Sequence, residues 1–300
     1  MGAGCASVLL VLNPQAGPSM QPAPRARIER WMEEEGVSYE LRETKAAGDA
    51  RRWMAETAPF QRVVVAGGDG TVMEALSGLI ENGSSLPLGI LPLGTGNLLA
   101  RALSLPSDLL EALEVAVATG KESRLDVGFL PDRKAYFAVA AGAGWDAAFL
   151  RETSRDLKRR FGFWAYVFTG IKNLFTLRRS RVMIRVDGQE EVFRAHTVML
   201  INVGEILGPG FQIHEEISAQ DGRLDLAIVQ TRSFWRILGI LIRLLLRQTC
   251  DERELSFRAG QRIEVTADPP LPLEIDGDPI GETPFVVEVQ AGAARLIGPG

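Results

Sequence analysis

The stretch that most constrains this chain runs from Arg62 to Leu79 and reads RVVVAGGDGTVMEALSGL. Residues 63–66 are a short, wholly apolar run of the kind a buried strand needs, and they lead into Gly67, Gly68, Asp69, Gly70 and Thr71. Apolar residues return at Val72, Ala75, Leu76, Leu79 and Ile80, the i, i+3, i+4, i+7, i+8 spacing of one helix face. The order is therefore strand, glycine turn, helix. Three glycines let a backbone approach a ligand closely, and a helix N-terminus points unpaired N–H groups at it, so a phosphate fits here. Asp69 adds a carboxylate for a metal or a proton. The same residues also make an ordinary β–α turn in which Asp and Thr act as caps.

The flanking sequence repeats the pattern. Residues 7–12 form a first strand that ends in Asn13-Pro14-Gln15-Ala16-Gly17, followed by a helix over 25–35, a strand over 38–42, Thr44-Lys45 and a helix from Asp49. A fourth strand over 88–91 feeds a second glycine turn, Gly94-Thr95-Gly96-Asn97, and a helix over 107–119 follows. Strands alternating with helices predict an α/β domain, Rossmann-like, with a mostly parallel sheet. Ligands of such sheets sit at the carboxyl ends of the strands, where both glycine turns fall. Neither turn has the P-loop or the dinucleotide spacing, so this is another solution to phosphate binding.

Beyond residue 125 the character changes to many short strand candidates at 126–129, 136–140, 181–187, 191–193, 197–203, 223–229, 254–257, 262–266, 273–276 and 285–289. That density predicts a β-sandwich. The expected domains are 1–125, α/β and nucleotide-binding, and 126–300, a β-sandwich substrate domain whose last strand can return to the first. Two apolar–basic segments, 157–181 and 234–247, interrupt the strands. Each reads either as a membrane-surface helix with basic residues toward anionic lipid, or as a helix packed on the sandwich with snorkelling arginines.

Composition excludes several classes. With two cysteines, Cys5 and Cys250, and two histidines, His196 and His214, a disulfide framework or a Cys/His zinc site is ruled out, and both histidines read as structural. A net charge of −5 argues against nucleic-acid binding through a globally basic surface. The N-terminus lacks the positive region of a signal peptide, which points to a cytoplasmic protein.

Asn13-Pro14-x-x-Gly17, Gly67-Gly68-Asp69-Gly70-Thr71 with Glu74, Gly94-Thr95-Gly96-Asn97-x-x-Ala100-Arg101, Asp126-x-Gly128, Asp221-Gly222-Arg223-Leu224-Asp225 and Asp276-Gly277-Asp278 occur in this order. Together they resemble the soluble bacterial diacylglycerol kinase family, within the superfamily shared with sphingosine kinases and NAD kinases. The resemblance covers nearly the whole chain. It implies ATP- and Mg²⁺-dependent phosphorylation of a lipid hydroxyl in a cleft between the domains, diacylglycerol to phosphatidic acid being the leading reaction. By position, Asn13, Thr44, Gly67, Gly68, Gly70, Thr71, Glu74, Gly94, Thr95 and Asn97 are the expected nucleotide residues. Asp69 and Asp126 are expected to help hold catalytic Mg²⁺, and Ser218, Asp221 and Arg223 a structural Mg²⁺. Asp276 and Asp278 are the candidates for accepting the hydroxyl proton, with Asp69 as the third catalytic acid.

The chain departs from the family pattern twice: Asp-Gly-Asp stands where Asp-Gly-Glu is usual, and Leu98 stands where many members carry Asp. The alternatives are a kinase of a sphingoid base, ceramide, another lipid alcohol or NAD, and a nucleotide- and lipid-binding regulator without turnover. The implied partner is a lipid at the membrane surface, with peripheral contact at the inner face. Homodimerisation stays open.

Overall fold

The structure is a computed structural model that describes residues 8–17, 24–144, 179–204, 217–231, 236, 239–240, 243, 251 and 253–299. The chain divides into two compact units, Met1–Leu125 with Gly292–Gly300 and Asp126–Ala291. In the first, β1 (Val8–Leu12), β2 (Tyr39–Glu43), β3 (Arg62–Gly67) and β4 (Leu88–Pro92) pair in parallel in the order β2-β1-β3-β4. Every residue of β1 is buried, and so is β3 after Arg62. Unbroken aliphatic runs are what a central strand needs when helices cover both of its faces.

Those helices are α1 (Pro24–Glu34), α2 (Asp49–Trp53), α3 (Asp69–Glu81), α4 (Leu98–Ala102) and α5 (Leu109–Glu114). Ile28 and Met32 of α1 and Leu109, Ala112 and Leu113 of α5 cluster with Val8, Leu10, Leu12, Val64, Ala66 and Leu91. Side chains alternate along a strand, so Leu9, Val63 and Val65 belong to the other face, where α3 lies on β3 and along α2. Burying each such side chain contributes about 1.5–3 kcal/mol. The helix expected over 107–119 is shorter. Asp108 caps α5 by accepting from the N–H groups of Leu110 and Glu111 at 2.8 and 3.2 Å, and Val115–Thr119 widens into a π-turn closed by Gly120 N on Val115 O at 2.9 Å.

The second unit is a β-sandwich, beginning within β5 (Lys121–Leu130). It holds β6 (Ala135–Phe137), β7 (Ala140–Ala143), β8 (Ser180–Val186), β9 (Gln189–Ala195), β10 (Thr197–Ile201), β11 (Leu224–Val229), β12 (Leu255–Gly260), β13 (Arg262–Asp268), β14 (Pro272–Ile275), β15 (Asp278–Glu282) and the first half of β16 (Phe285–Gly298). One layer is antiparallel in the order β12-β11-β10-β7-β14-β15, and the other pairs β9, β8, β13 and β16 antiparallel. Strict alternation makes this possible: Val182 and Ile184 of β8 point inward while Arg181, Met183 and Arg185 are exposed. The inner faces meet in one core that includes Val182, Ile184, Val265, Phe285 and Val287 from one layer and Ala143, Leu200, Leu226 and Leu273 from the other.

Three departures from the sequence expectation have physical causes. The strand expected over 136–140 is broken at Ala138 and Val139, whose N–H groups donate to the Asp276 carboxylate and not to a ladder. Strand β15 was not expected. It pairs with β14 through a two-residue turn, Asp276-Gly277, with φ of 45° and 89°, the left-handed pair that an Asp-Gly hairpin turn requires. Strand β16 runs on to Gly298, well past the expected end at 289. Its second half lies in the first unit, where Leu296 pairs in parallel with Leu88 of β4.

Of the apolar–basic segments, 157–178 lies outside the described residues. In the second, Arg236, Ile240 and Arg243 are helical. Ile240 is buried with Ile201, Ile217, Ala227 and Leu255, and Arg236 and Arg243 reach Glu254 at 3.3 and 3.5 Å. Those residues fit a helix packed on the sandwich with its arginines paired at the edge. Among the described residues no helix is long and apolar enough to cross a membrane.

Candidate active site

Parallel pairing aligns the carboxyl ends of β1 to β4, so the segments leaving them become neighbours. Asn13 N donates to Ala66 O, Thr44 N to Leu12 O and Leu93 N to Gly67 O, each at 2.9 Å. The Asn13 amide donates to Thr71 Oγ1 at 2.9 Å. The predicted nucleotide residues Asn13, Thr44, Gly67, Gly68, Gly70, Thr71, Gly94, Thr95 and Asn97 are thereby gathered at one edge of the sheet, and Glu74 sits half-buried one turn into α3.

The glycines of the two turns are small for different reasons. A Cβ on Gly94 would lie 2.7 Å from Gly68 Cα and 2.7 Å from Asn97 Oδ1, and one on Gly96 would lie 2.6 Å from Asp69 Oδ2. Gly94 therefore lets the two turns pack backbone on backbone, and Gly96 leaves room for the Asp69 carboxylate. Gly70 is the exception, because a Cβ there would meet nothing within 4 Å.

Asp69 does cap a helix, but not its own. Its Oδ1 accepts from Leu98 N at 2.5 Å, at the start of α4, whereas the N-cap of α3 is Gly68, which has no side chain to cap with. The acid of the first turn thus holds the second. Burial pushes the Asp69 carboxyl pKa above its ordinary value, and the N–H groups of Leu98 and Asn97 oppose that rise. The consequence for chemistry is that the N–H groups of Gly70 and Thr71 in the first turn of α3 stay open to an anion, while those of Asp69 and Leu98 already face the Asp69 carboxylate.

A cavity of about 450 Å³ opens at the end of β2, beside Thr44, with Arg25, Leu41, Arg42, Lys45 and Trp53 in its lining. Arg25 is paired with Glu29 and Glu43, and Arg42 with Glu40 and Glu56. Lys45 has no carboxylate partner among the described residues and is the cation left to meet a phosphate.

In the second unit the structure brings Asp126 to the 218–223 loop. Asp126 N donates to Ala219 O, and Gly222 N to Asp126 Oδ2, both at 2.7 Å. Asp126 is 2% exposed. Asp221 is exposed and accepts from Arg223 N at 2.9 Å, and Ser218 Oγ accepts from Gln220 N at 3.3 Å. Asp276 accepts from the N–H groups of Ala138, Val139 and Ala140 at 2.9, 3.0 and 3.0 Å. Asp278, the first residue after the hairpin turn, is exposed.

Whether these residues suit Mg²⁺ can be tested on their oxygens. A hard divalent cation takes oxygen ligands, and Mg²⁺ in phosphate-transfer sites is commonly held by one or two carboxylates plus phosphates and water. Among the described residues no three His, Cys, Asp or Glu side chains gather into a metal set. Asp69, Asp126 and Asp221 each already accept a backbone N–H. The donor set fits a cation carried in on phosphate and met by a single carboxylate such as Asp69, not a preformed protein cage.

Asn202 escaped the sequence reading. It is 1% exposed, and its amide donates to both Asp126 O and Ala138 O at 2.7 Å. The only hint was an amide among apolar residues at the end of a strand. His196 is buried as expected of a structural residue, accepting from Arg179 Nε at 3.3 Å. His214, Cys5 and Cys250 lie outside the described residues.

Comparison with known proteins matches residues 7–130 to the diacylglycerol kinase catalytic domain and residues 139–298 to the YegS C-terminal NAD kinase beta sandwich-like domain. A Salmonella arizonae protein named "Probable lipid kinase YegS" is 30% identical over 292 residues, covering 96% of this chain and 94% of its own. A Bacillus subtilis protein named "Diacylglycerol kinase" is 27% identical over 279 residues, covering 92% and 90%. A crystal structure of a diacylglycerol kinase from Bacillus anthracis str. Sterne superposes with a TM-score of 0.73 at 21% identity, covering 99% of this chain and 98% of that one. At that identity the likeness speaks to the fold.

Proposed function

This chain belongs to the bacterial diacylglycerol kinase family of lipid kinases, a family that uses a nucleotide, and on that premise we propose that it transfers the γ-phosphate of ATP to a lipid hydroxyl, with diacylglycerol as the leading acceptor. The observation that carries the reading is the pair of interlocked glycine turns at the carboxyl ends of β3 and β4, with Gly68 at the N-cap of α3 offering no side chain to cap it.

We assign the donor nucleotide to the first unit. The N–H groups at the start of α3 receive phosphate oxygens, Lys45 and Arg101 offer positive charge, and Asn13 fixes Thr71. Bound Mg²⁺ would neutralise phosphate charge as it develops, and Asp69 is the carboxylate suited to meet it. The cavity beside Thr44 supports seating the nucleoside there.

The acceptor-side acid comes from the second unit. Asp276 has given its carboxylate to three backbone N–H groups, which suits an anchor better than a base. Asp278 is exposed two residues on, directly after the hairpin turn, and is assigned as the proton acceptor. The lipid oxygen attacks the γ-phosphorus, its proton passes to Asp278, and the bond to the bridging oxygen breaks to release ADP. Access to a lipid implies peripheral contact with a membrane surface.

Radiolabel transfer from ATP to diacylglycerol in mixed micelles tests this, with sphingoid base, ceramide and NAD as parallel acceptors. Transfer to diacylglycerol that Asp69→Ala abolishes is expected. Absence of transfer to every lipid overturns the proposal.

A further inference from the structure

The hairpin that carries Asp276 and Asp278 is held by a clamp that can be accounted for group by group. Between β6 and β7 the backbone of Ala138 and Val139 leaves the ladder. Their two N–H groups and that of Ala140, the first residue of β7, all donate to the Asp276 carboxylate. Ala140 O accepts from Asp276 N at 2.9 Å. Val139 O accepts from Asn202 N at 3.0 Å and Val203 N at 3.4 Å, and Ala138 O accepts from the Asn202 amide at 2.7 Å. Ala138 and Val139 are 0% and 2% exposed, so water does not replace these partners. Two residues, Asp276 on one side and Asn202 on the other, therefore satisfy nearly every polar group of this link.

Asn202 does one thing more. The other hydrogen of its Nδ2 goes to Asp126 O at 2.7 Å. Two carbonyl oxygens on one nitrogen fix which end of the amide is which. Its Oδ1 has no partner among the described residues, so the site is built around the two donors and not the acceptor. No other side chain of this size places two N–H groups on one atom between two strands: an ionised Asp donates none, and Ser donates a single O–H. Strand β5, which carries Asp126, and the link that grips Asp276 are joined through that nitrogen.

We propose that Asn202 is the positioning residue of the Asp276-Gly277-Asp278 hairpin, setting where Asp278 is presented by locking the three N–H groups of residues 138–140 against the Asp126 strand. The catalytic part of the proposal rests on Asp278 being the proton acceptor. The clamp itself does not. With the Asn202 donors removed, Ala138 O and Asp126 O lose their shared partner, the link turns, and the N–H groups move under Asp276.

Amide hydrogen exchange on the full chain reads this directly, with Asn202→Asp as a near-isosteric variant that keeps the shape and loses both donors. Expected is exchange at Val139 and Ala140 at least tenfold faster than wild type, while the β8–β9 hairpin stays within twofold. The kinase assay should show kcat reduced at least tenfold with KM for ATP within twofold, and Asn202→Ser, with one donor, should fall between. If Asn202→Asp does not fold, Asp276→Asn is the reciprocal variant, and selective deprotection of the same link is expected. Equal acceleration across the whole second unit, or no change at residues 139–140, overturns the clamp. Selective exchange with unchanged kcat overturns the catalytic part alone. A wild type that phosphorylates no lipid overturns the kinase reading and leaves the exchange result to decide the clamp.

Discussion

Gly70 separates a glycine demanded by the protein from one demanded by a ligand. It is the second residue of α3, lies outside the left-handed region, and an added Cβ meets nothing within 4 Å. Gly70→Ala should therefore not harm the fold. Alanine loses less chain entropy than glycine on entering a helix, a gain of up to about 0.5–1 kcal/mol, smaller at a helix start. At this chain size that raises Tm by roughly 1–4 °C. If phosphate oxygens seat on the N–H groups of this first turn, the methyl occupies the approach. Nucleotide affinity should then drop at least about tenfold, or about 1.4 kcal/mol. Gly94→Ala is the contrast: its Cβ would lie 2.7 Å from Gly68 Cα. Overpacking of that kind costs about 1–3 kcal/mol, so Tm should fall along with affinity. Thermal unfolding and calorimetric titration with a non-hydrolysable ATP analogue measure both. Gly70→Ala with a raised Tm and nucleotide affinity within about twofold of wild type would falsify the placement of phosphate on α3.

Further outcomes follow from the same geometry. Burial raises the folded pKa of Asp69 above its ordinary 3.8, so its contribution to stability is fully present below that value and is lost as pH rises through the folded pKa. Asp69→Asn should accordingly gain on wild type in urea unfolding between pH 4 and pH 7, and a constant difference across that range refutes the assignment. Asp278→Asn, at an exposed position, should leave stability within about 0.5 kcal/mol, yet reduce kcat by about 10²–10⁴-fold as loss of a general base does. Asp276→Ala strands three buried-side N–H donors and should cost about 1–3 kcal/mol for each one that water cannot reach; if it unfolds no more readily than Asp278→Asn, the anchor role is wrong. Leu10→Ala, at a fully buried position of β1, should lower unfolding stability by about 2–5 kcal/mol in chemical denaturation.

Much of the architecture was legible because local and global demands coincide. The aliphatic run over 63–66, short, β-branched and followed by glycines, reads as a covered strand, and the 3.6-residue period after Thr71 reads as a helix. Strand β8 shows the same agreement with a period of two. The misses fall where a distant group overrules the local pattern. Residues 136–140 alternate well enough for one strand, yet Asp276, far along the chain, draws the N–H groups of Ala138 and Val139 out of the ladder. The hairpin at Asp276-Gly277 was signalled by the Asp-Gly pair itself, but the exposed strand that follows, Asp278–Glu282, has no apolar periodicity to announce it.

Sequence alone therefore determined the two fold classes, the order of the glycine turns and the family, since these depend on periodicity and on residue types at short spacing. Tertiary structure decided what each acid does. Asp69, Asp126 and Asp276 look alike in sequence, and each proves to grip backbone N–H groups from another segment: Leu98, Gly222 and residues 138–140. A carboxylate's role is set by which donors reach its oxygens, and those donors are 29, 96 and 138 residues away along the chain. Only folding brings them together.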